Sequence, residues 1–163
     1  MEDFLASWAS RENLIHYTTE AGLQLWIPGT WTYETEADGT VVFFRSIGEV
    51  GALRIGTLDF EPRRRIFKKR STGESEVQAG VRDALEHFRT SFPYLRPINL
   101  LGKTGLYGTT SDEEGMHHDW YFSSTSRIVM ANYSVSKERV GLPSVVEEIE
   151  TARRIMTSLV VGP

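Results

Sequence analysis

The chain contains no cysteine, and this absence excludes several classes of protein at once. Without thiols there is no disulfide framework, no thiolate-ligated metal and no cysteine nucleophile. A protein without disulfides suits a reducing compartment, so we predict a cytoplasmic location. An excess of positive charge is also missing, because 18 basic residues stand against 22 acidic ones and the formal net charge is −4. This balance disfavours a protein whose whole surface binds nucleic acid.

Long apolar runs are missing as well. A membrane-spanning helix needs about 20 consecutive apolar residues. The longest apolar runs in this sequence, such as Val41 to Phe44, are far shorter. The N-terminal segment carries Glu2 and Asp3 and has no apolar stretch after a positive start, so we do not expect a secretory signal. We predict a soluble protein that does not associate with membranes.

What is present is the composition of an ordinary globular protein. Of the 163 residues, 40% are hydrophobic and 25% are charged, as is typical of folded domains. No internal repeat, low-complexity tract or linker divides the sequence. We therefore predict one domain spanning residues 1–163.

Two stretches, Gly22 to Phe60 and Asp119 to Val135, have the composition of antiparallel sheet. In the first, Asp38-Gly39 separates the strand-like segments Trp31 to Glu36 and Thr40 to Arg45. An Asp-Gly pair accepts positive φ and so predicts a hairpin turn. Further strands are predicted at Leu14 to Tyr17, Gly22 to Ile27, Gly51 to Phe60, Trp120 to Ser123 and Arg127 to Val135, with strand and loop mixed between Pro97 and Thr110.

Helical periodicity begins at Ser75. Apolar residues then recur at intervals of three or four, which predicts one buried stripe and a helix that ends before Pro93. Ser75 and Gln78 have the spacing of a capping box. The stripe consists of Val77, Val81, Leu85, Phe88 and Phe92.

A second long helix is predicted to begin at Pro143 and Ser144. Ser144 and Glu147 again suit a capping box, and Glu150 and Arg154 can form an ion pair one helical turn apart. A short helix is predicted from Asp3 to Ala9. The predicted buried stripe of the second long helix consists of Val146, Ile149, Ala152, Met156 and Leu159.

Together these elements predict an α+β domain with a meander-type antiparallel sheet flanked by helices. Three segments also carry a resemblance: GLQLWIPGTW (Gly22 to Trp31), GALRI (Gly51 to Ile55) and WYFSSTSRIVMANYSV with the helix that follows it. Their order resembles the fold shared by the PsbP family, the Ran-binding Mog-type import factors and bacterial DcrB-like proteins. The resemblance implies a PsbP-like α/β/α sandwich of bacterial type and a non-enzymatic binding or adaptor role. It transfers no catalytic residue, because none is common to these proteins.

A basic cluster is one candidate partner-binding site. Six of the eight residues from position 63 to position 70 are basic, and such a cluster can neutralise phosphates or an acidic protein surface. The alternative is a solvated connection whose Ile66 and Phe67 enter the core. Of the possible ligands, the acidic overall charge favours a protein over DNA. The basic residues are Arg63, Arg64, Arg65, Lys68, Lys69 and Arg70.

A segment rich in acidic and histidine residues lies between positions 112 and 119. Carboxylate and imidazole groups are ligands for divalent ions, which leaves a metal-dependent hydrolase as an alternative function. The spacing matches neither H-E-x-x-H nor an EF-hand loop, and adjacent His117 and His118 would point to opposite faces of a strand. We therefore predict an acidic loop without a metal or cofactor. Its residues are Asp112, Glu113, Glu114, His117, His118 and Asp119.

No catalytic motif is complete. Gly102-Lys103-Thr104 resembles the end of a phosphate-binding P-loop, but position 97 holds Pro97 where that loop needs glycine. A G-x-S-x-G motif is also absent. We predict that the protein is not an enzyme.

The tryptophans admit two interpretations. Such residues are frequent in partner-binding surfaces and ligand pockets, yet they more commonly fill the space between a sheet and a helix. Trp31, beside the Pro28-Gly29 turn, and Trp120, next to the acidic segment, are the candidates for exposure to a partner.

These observations favour a non-enzymatic protein-binding or adaptor domain whose partner is another protein. A toxin-immunity protein or a secretion-associated chaperone would suit the size, the acidity and the missing catalytic motifs. The alternatives are the hydrolase at positions 112–119 and an anion or nucleic-acid binder at positions 63–70.

Overall fold

The structure is a computed structural model that describes residues 1–61 and 75–161. Within those ranges no helix is long and apolar enough to span a membrane. The helices are α1 (Glu2–Ala9), α2 (Glu76–Ser91) and α3 (Ser144–Ser158). The strands are β1 (Leu14–Thr18), β2 (Gln24–Pro28), β3 (Trp31–Thr35), β4 (Val41–Arg45), β5 (Gly51–Asp59), β6 (Arg96–Leu100), β7 (Lys103–Ser111), β8 (Gly115–Ser123) and β9 (Arg127–Ser136).

Seven strands form one antiparallel sheet in the order β3-β4-β5-β9-β8-β7-β6. The sheet consists of two meanders, β3 to β5 and β6 to β9, in which strands adjacent in sequence pair with each other. Pairing of β5 with β9 joins the two meanders at the centre of the sheet. β1 and β2 form a separate two-stranded hairpin. This arrangement confirms the predicted meander-type antiparallel sheet.

The sheet has helices on both faces. On one face, α1, the β1–β2 hairpin and α3 enclose the main core with the inward side chains of the sheet, such as Phe43 and Trp120. On the other face, α2 places Phe88 with its ring centroid 4.9 Å from that of Tyr121. Because Trp120 and Tyr121 are consecutive on β8, they point to opposite faces. The predicted α/β/α sandwich is therefore confirmed.

Local signals in the sequence correctly placed a turn and a helix start. Gly39 has a φ of 86°, and Asp38 Oδ1 accepts a hydrogen bond from the Thr40 amide at 2.9 Å. The Ser75 hydroxyl accepts from the Gln78 amide at 3.1 Å, and the Gln78 side chain accepts from the Ser75 amide at 3.0 Å. The β3–β4 hairpin and the capping box of α2 are thus confirmed.

The face of α3 differs from the prediction. Val146 is 74% exposed, whereas its neighbour Val145 is 3% exposed and belongs to the core. The predicted stripe was wrong at this position. The inward-facing side of α3 includes the polar residue Glu148, and a search for apolar periodicity assigns a polar residue to the exposed side. The predicted capping box is also wrong, since Pro143 occupies the N-cap position and no side chain caps the helix.

Strand content is higher than predicted in two regions, one predicted as mixed strand and loop and the other as a loop. The region from 97 to 110 contains the paired strands β6 and β7, whose turn has Leu101 with φ 49° and Gly102 with φ 86°. The predicted loop at 112–119 is wrong beyond its first three residues, because β8 begins at Gly115 and pairs with both β7 and β9. Pairing on both sides stabilises a strand whose residues His117, His118 and Asp119 have low strand preference.

Candidate docking surface

The two candidate tryptophans lie in the core. Trp31 is 5% exposed and Trp120 is 1% exposed. Trp120 packs with its ring centroid 5.2 Å from that of Tyr107. Both side chains pack in the core, so the expected exposure of Trp31 and Trp120 is not found in this structure. Their assignment to partner binding stays a prediction. The basic cluster at positions 63–70 lies outside the described residues.

The histidines of the acidic segment are separated by the sheet. His117 Nε2 lies 3.4 Å from Asp112 Oδ1, within ion-pair distance but outside hydrogen-bond geometry. His118 points to the opposite face, where its Nδ1 is 2.8 Å from the hydroxyl of Tyr107. Asp119 accepts hydrogen bonds from two side chains, those of Tyr94 at 2.9 Å and Asn132 at 2.7 Å.

Four of these six residues are thus divided among three environments: Asp112 with His117, His118 with Tyr107, and Asp119 with Tyr94 and Asn132. Within residues 1–61 and 75–161, no three His, Cys, Asp or Glu side chains are grouped so that they could hold one metal ion. The side chains at positions 112–119 therefore do not come together as one set of metal ligands.

Three connections meet at one end of the sheet instead. They join β4 to β5 (residues 46–50), β7 to β8 (residues 112–114) and β9 to α3 (residues 137–143). They meet because β4, β7 and β9 all run in the same direction, as the alternating order of an antiparallel sheet requires.

Hydrogen bonds tie these connections to each other. The Lys137 amide donates to the Glu114 carbonyl at 3.0 Å, which joins the second connection to the third. The guanidinium of Arg139 donates to the Glu49 carbonyl at 3.2 Å, which joins the third to the first. The three connections consequently form one surface.

A buried carboxylate fixes the first connection to α3. Glu148 is 1% exposed and accepts from the amides of Val50 at 3.2 Å and Gly51 at 3.0 Å. It also accepts from the hydroxyl of Tyr133 at 2.8 Å. Burial, followed by this hydrogen bond, raises the pKa of Tyr133, which keeps the phenol protonated as a donor. Three donors replace the water that the buried Glu148 carboxylate has lost, so its burial is compensated. These bonds hold the β4–β5 connection, β9 and α3 together at this end of the sheet, which we call the base.

Apolar side chains project from this base into solvent. Ile47 is 87% exposed and Val146 is 74% exposed. Two more exposed apolar residues, Val140 and Leu142, lie on the β9–α3 connection. Tips of turns are usually polar. We name the exposed residues of the three connections, together with Val146 at the start of α3, the docking surface.

The charges of the docking surface are predominantly negative. Its three connections contain five acidic residues and two basic ones. Asp112 accepts hydrogen bonds from the backbone amides of Glu114 at 2.8 Å and Gly115 at 3.0 Å. These bonds lower the pKa of Asp112 and favour its charged form. The acidic residues are Glu49, Asp112, Glu113, Glu114 and Glu138, and the basic residues are Lys137 and Arg139.

Sequence reasoning identified only the acidic part of this surface. The residues Ile47, Val140 and Leu142 carried no motif, and Val146 was assigned to the buried stripe of α3. An apolar residue next to glycine in a short connection, as in Ser46-Ile47-Gly48, is the one local signal that could have indicated exposure.

Solved structures with this architecture include two proteins of low sequence identity. A crystal structure of a protein from Bacteroides thetaiotaomicron has a TM-score of 0.64 and 13% identity, over 91% of this chain. This chain spans about half of that protein, 48% of its length. The solution structure of the cyanobacterial PsbP protein CyanoP from Synechocystis has a TM-score of 0.52 and 13% identity, covering 91% of this chain and 92% of that one.

No protein-family profile matches this sequence, and no curated protein matches it. The similarity to solved structures confirms the predicted resemblance at the level of fold: the chain has a PsbP-like fold. A shared fold at this identity does not transfer a function.

Proposed function

We propose that this chain is a non-enzymatic binding domain that holds a basic protein on its docking surface. The observation that carries the proposal is the 87% exposure of Ile47 on a turn that hydrogen bonds fix in place. Apolar side chains held in water at a fixed position are typical of surfaces that a partner covers. Val146, 74% exposed on the adjoining helix, adds a second apolar contact.

The chemistry of the surface defines the partner. An apolar centre with charged surroundings is the usual composition of a protein interface. The excess of acidic residues attracts a basic protein and repels an acidic one. The partner therefore presents an apolar recess surrounded by lysine and arginine.

Among roles of this kind, we favour neutralisation of a cationic protein in the cytoplasm, as a toxin-immunity protein does. Proteins that act on nucleic acids carry basic surfaces, and an acidic docking surface suits such a target. The same surface would also serve a secretion-associated chaperone, whose client would be released after delivery.

The test begins with the wild-type chain as bait in a lysate of its native host, and the captured protein is then purified. The affinity of the captured protein is then measured for the wild-type chain and for the variants Ile47→Lys and Leu101→Lys. Leu101 is a matched control because it is 52% exposed on the β6–β7 turn, at the opposite end of the sheet. We expect Ile47→Lys to weaken binding at least about tenfold, as loss of a central apolar contact does, and Leu101→Lys to bind like the wild type.

A second measurement follows the association rate as sodium chloride is raised. We expect the rate to fall, because screening removes attraction between an acidic surface and a basic partner. Capture of no protein at any stage of growth, or equal affinity of Ile47→Lys and the wild type, would reject the docking surface. A captured protein whose binding is insensitive to salt would reject the basic partner.

A further inference from the structure

A cleft lies at the end of the sheet opposite to the docking surface. Met1 and three segments line it: residues 102–104 after β6, residues 122–125 around the β8–β9 turn, and residues 159–161 after α3. Its volume is about 460 Å³. This volume falls within the range of sites for small organic molecules, roughly 300–1,000 Å³.

The cleft has an apolar base and a fixed wall. Phe122 is 1% exposed and Leu159 is fully buried, so core packing holds both side chains in place beneath the cleft. The accessible apolar side chains of the cleft are those of Met1 and Val160, 44% and 47% exposed. Val160 and Gln24 exchange two backbone hydrogen bonds, of 3.2 Å and 2.7 Å, which attach the segment after α3 to β2. A cleft with these walls exists before a ligand arrives, which reduces the entropic cost of binding.

One ammonium group lies in this apolar setting. Lys103 lines the cleft, and its Nζ donates a hydrogen bond to the Thr157 carbonyl in the last turn of α3. An ammonium group has three N–H donors. The bond to the Thr157 carbonyl uses one of those of Lys103, so the others can bind a ligand. Burial lowers the pKa of Lys103 to about 8, which leaves the group mainly charged at neutral pH. Lys103 is the one charged side chain among the described residues that line the cleft.

A hydroxyl without a partner lies in the same cleft. Ser124 Oγ is inaccessible to solvent and forms no hydrogen bond with any described residue. A buried polar atom in this condition costs free energy, and a bound acceptor would remove that cost. The cleft thus combines a cation, an unpartnered hydroxyl in its wall and exposed apolar side chains.

We propose that the cleft is a binding site for a small organic anion, a carboxylate attached to a short aliphatic chain. The carboxylate accepts a hydrogen bond from Lys103, and rotation of the Ser124 side chain brings its hydroxyl to the ligand as a second donor. The aliphatic chain packs on Met1 and Val160, which line the cleft and are 44% and 47% exposed. An inorganic anion would leave the exposed side chains of Met1 and Val160 uncovered, and a neutral aliphatic molecule would leave the ammonium without a counter-charge. This site is independent of the docking surface.

The test compares octanoate with 1-octanol, which has the same chain length and no charge, by calorimetry and by NMR shift changes on the whole chain. We expect the wild type to bind octanoate at least about tenfold more tightly than octanol, as a charge-assisted hydrogen bond implies. Lys103→Met removes this preference, and Lys103→Arg retains it. The matched control Lys137→Met removes an exposed lysine at the other end of the sheet and retains the preference.

A further variant tests the site even if Lys103→Met fails to fold. Thr125 is exposed at the rim of the cleft, so Thr125→Trp blocks entry without altering the core and reduces binding of both molecules. The proposal is overturned if the wild type binds neither molecule, if it binds both equally, or if Thr125→Trp leaves octanoate binding unchanged. Ile47→Lys is expected to bind octanoate as the wild type does, so the octanoate result does not depend on whether the docking surface binds a protein.

Discussion

The hydroxyl of Tyr133 donates a hydrogen bond of 2.8 Å to the carboxylate of Glu148, joining the centre of the sheet to the first turns of α3. The same carboxylate accepts from the amides of Val50 and Gly51. The exposed turn that carries Ile47 therefore depends on groups that water does not reach.

Removing the phenol should destabilise the protein. We expect Tyr133→Phe to lower the free energy of unfolding by about 1–3 kcal/mol, because the buried carboxyl acceptor of Glu148 loses one of its donors. Tyr121→Phe is the matched control, since the hydroxyl of Tyr121 has no hydrogen-bond partner among the described residues. Urea unfolding of both variants measures the difference, and equal stability of the two would show that the Tyr133 hydrogen bond contributes nothing.

Adding one methyl group at Gly51 should have a large effect. A Cβ there would lie 2.6 Å from the Ser134 carbonyl and 2.6 Å from the Tyr133 hydroxyl. We expect Gly51→Ala to cost about 3 kcal/mol through this overpacking, measured by thermal and urea unfolding. Gly141→Ala is the control, because a Cβ at that position has nothing within 4 Å. A tolerated alanine at Gly51 would mean that β5 and β9 are not so closely apposed.

Buried His118 should make the protein less stable in mild acid. It is 7% exposed, and its burial lowers its pKa below the usual value near 6.5. The unfolded chain therefore binds a proton at a pH where the folded chain does not. The resulting stability is complete above about pH 6.5 and is lost as the pH falls below it, at up to about 1.4 kcal/mol per pH unit.

This loss is measured by urea unfolding at about pH 7.5 and about pH 5.5. We expect the difference between the two pH values to be smaller in His118→Phe than in the wild type, because phenylalanine takes up no proton. Carboxylates contribute equally to both proteins and cancel in the comparison. His16→Gln, which changes an exposed histidine, should keep the wild-type difference, and an unchanged difference in His118→Phe would contradict the assignment.

Adjacent valines at the start of α3 should respond oppositely to the same substitution. Val146 is exposed and is the third residue of the helix, where a negative charge is favourable. We expect Val146→Asp to retain or raise the free energy of unfolding by about 0.3–1 kcal/mol. Val145→Asp places a charge in the core and should cost several times more. Circular dichroism during urea unfolding distinguishes the two, and the reverse order would restore the helix face predicted from the sequence.

The parts of the fold that the sequence predicted correctly depend on neighbours in the chain. The Asp38-Gly39 turn and the Ser75–Gln78 capping box are complete within four residues, so their residue types are sufficient to identify them. Such signals need no knowledge of the rest of the molecule.

The incorrect parts depend on residues far apart in sequence. Glu148 faces inward because its carboxylate oxygens accept hydrogen bonds from the amides of Val50 and Gly51, which lie 98 and 97 positions earlier in the chain. His118 fits a central strand because Tyr107 on β7 supplies its polar partner. The docking surface combines three connections that only the strand order brings together, so no local pattern predicts it.

The strand order also has a consequence for self-association. β3 and β6 are the outermost strands, and each has five residues. β6 contains Pro97, which has no amide hydrogen to donate to an incoming strand. The β6 edge therefore offers one donor fewer to a strand of a second copy, which disfavours edge-to-edge pairing of two molecules through β6.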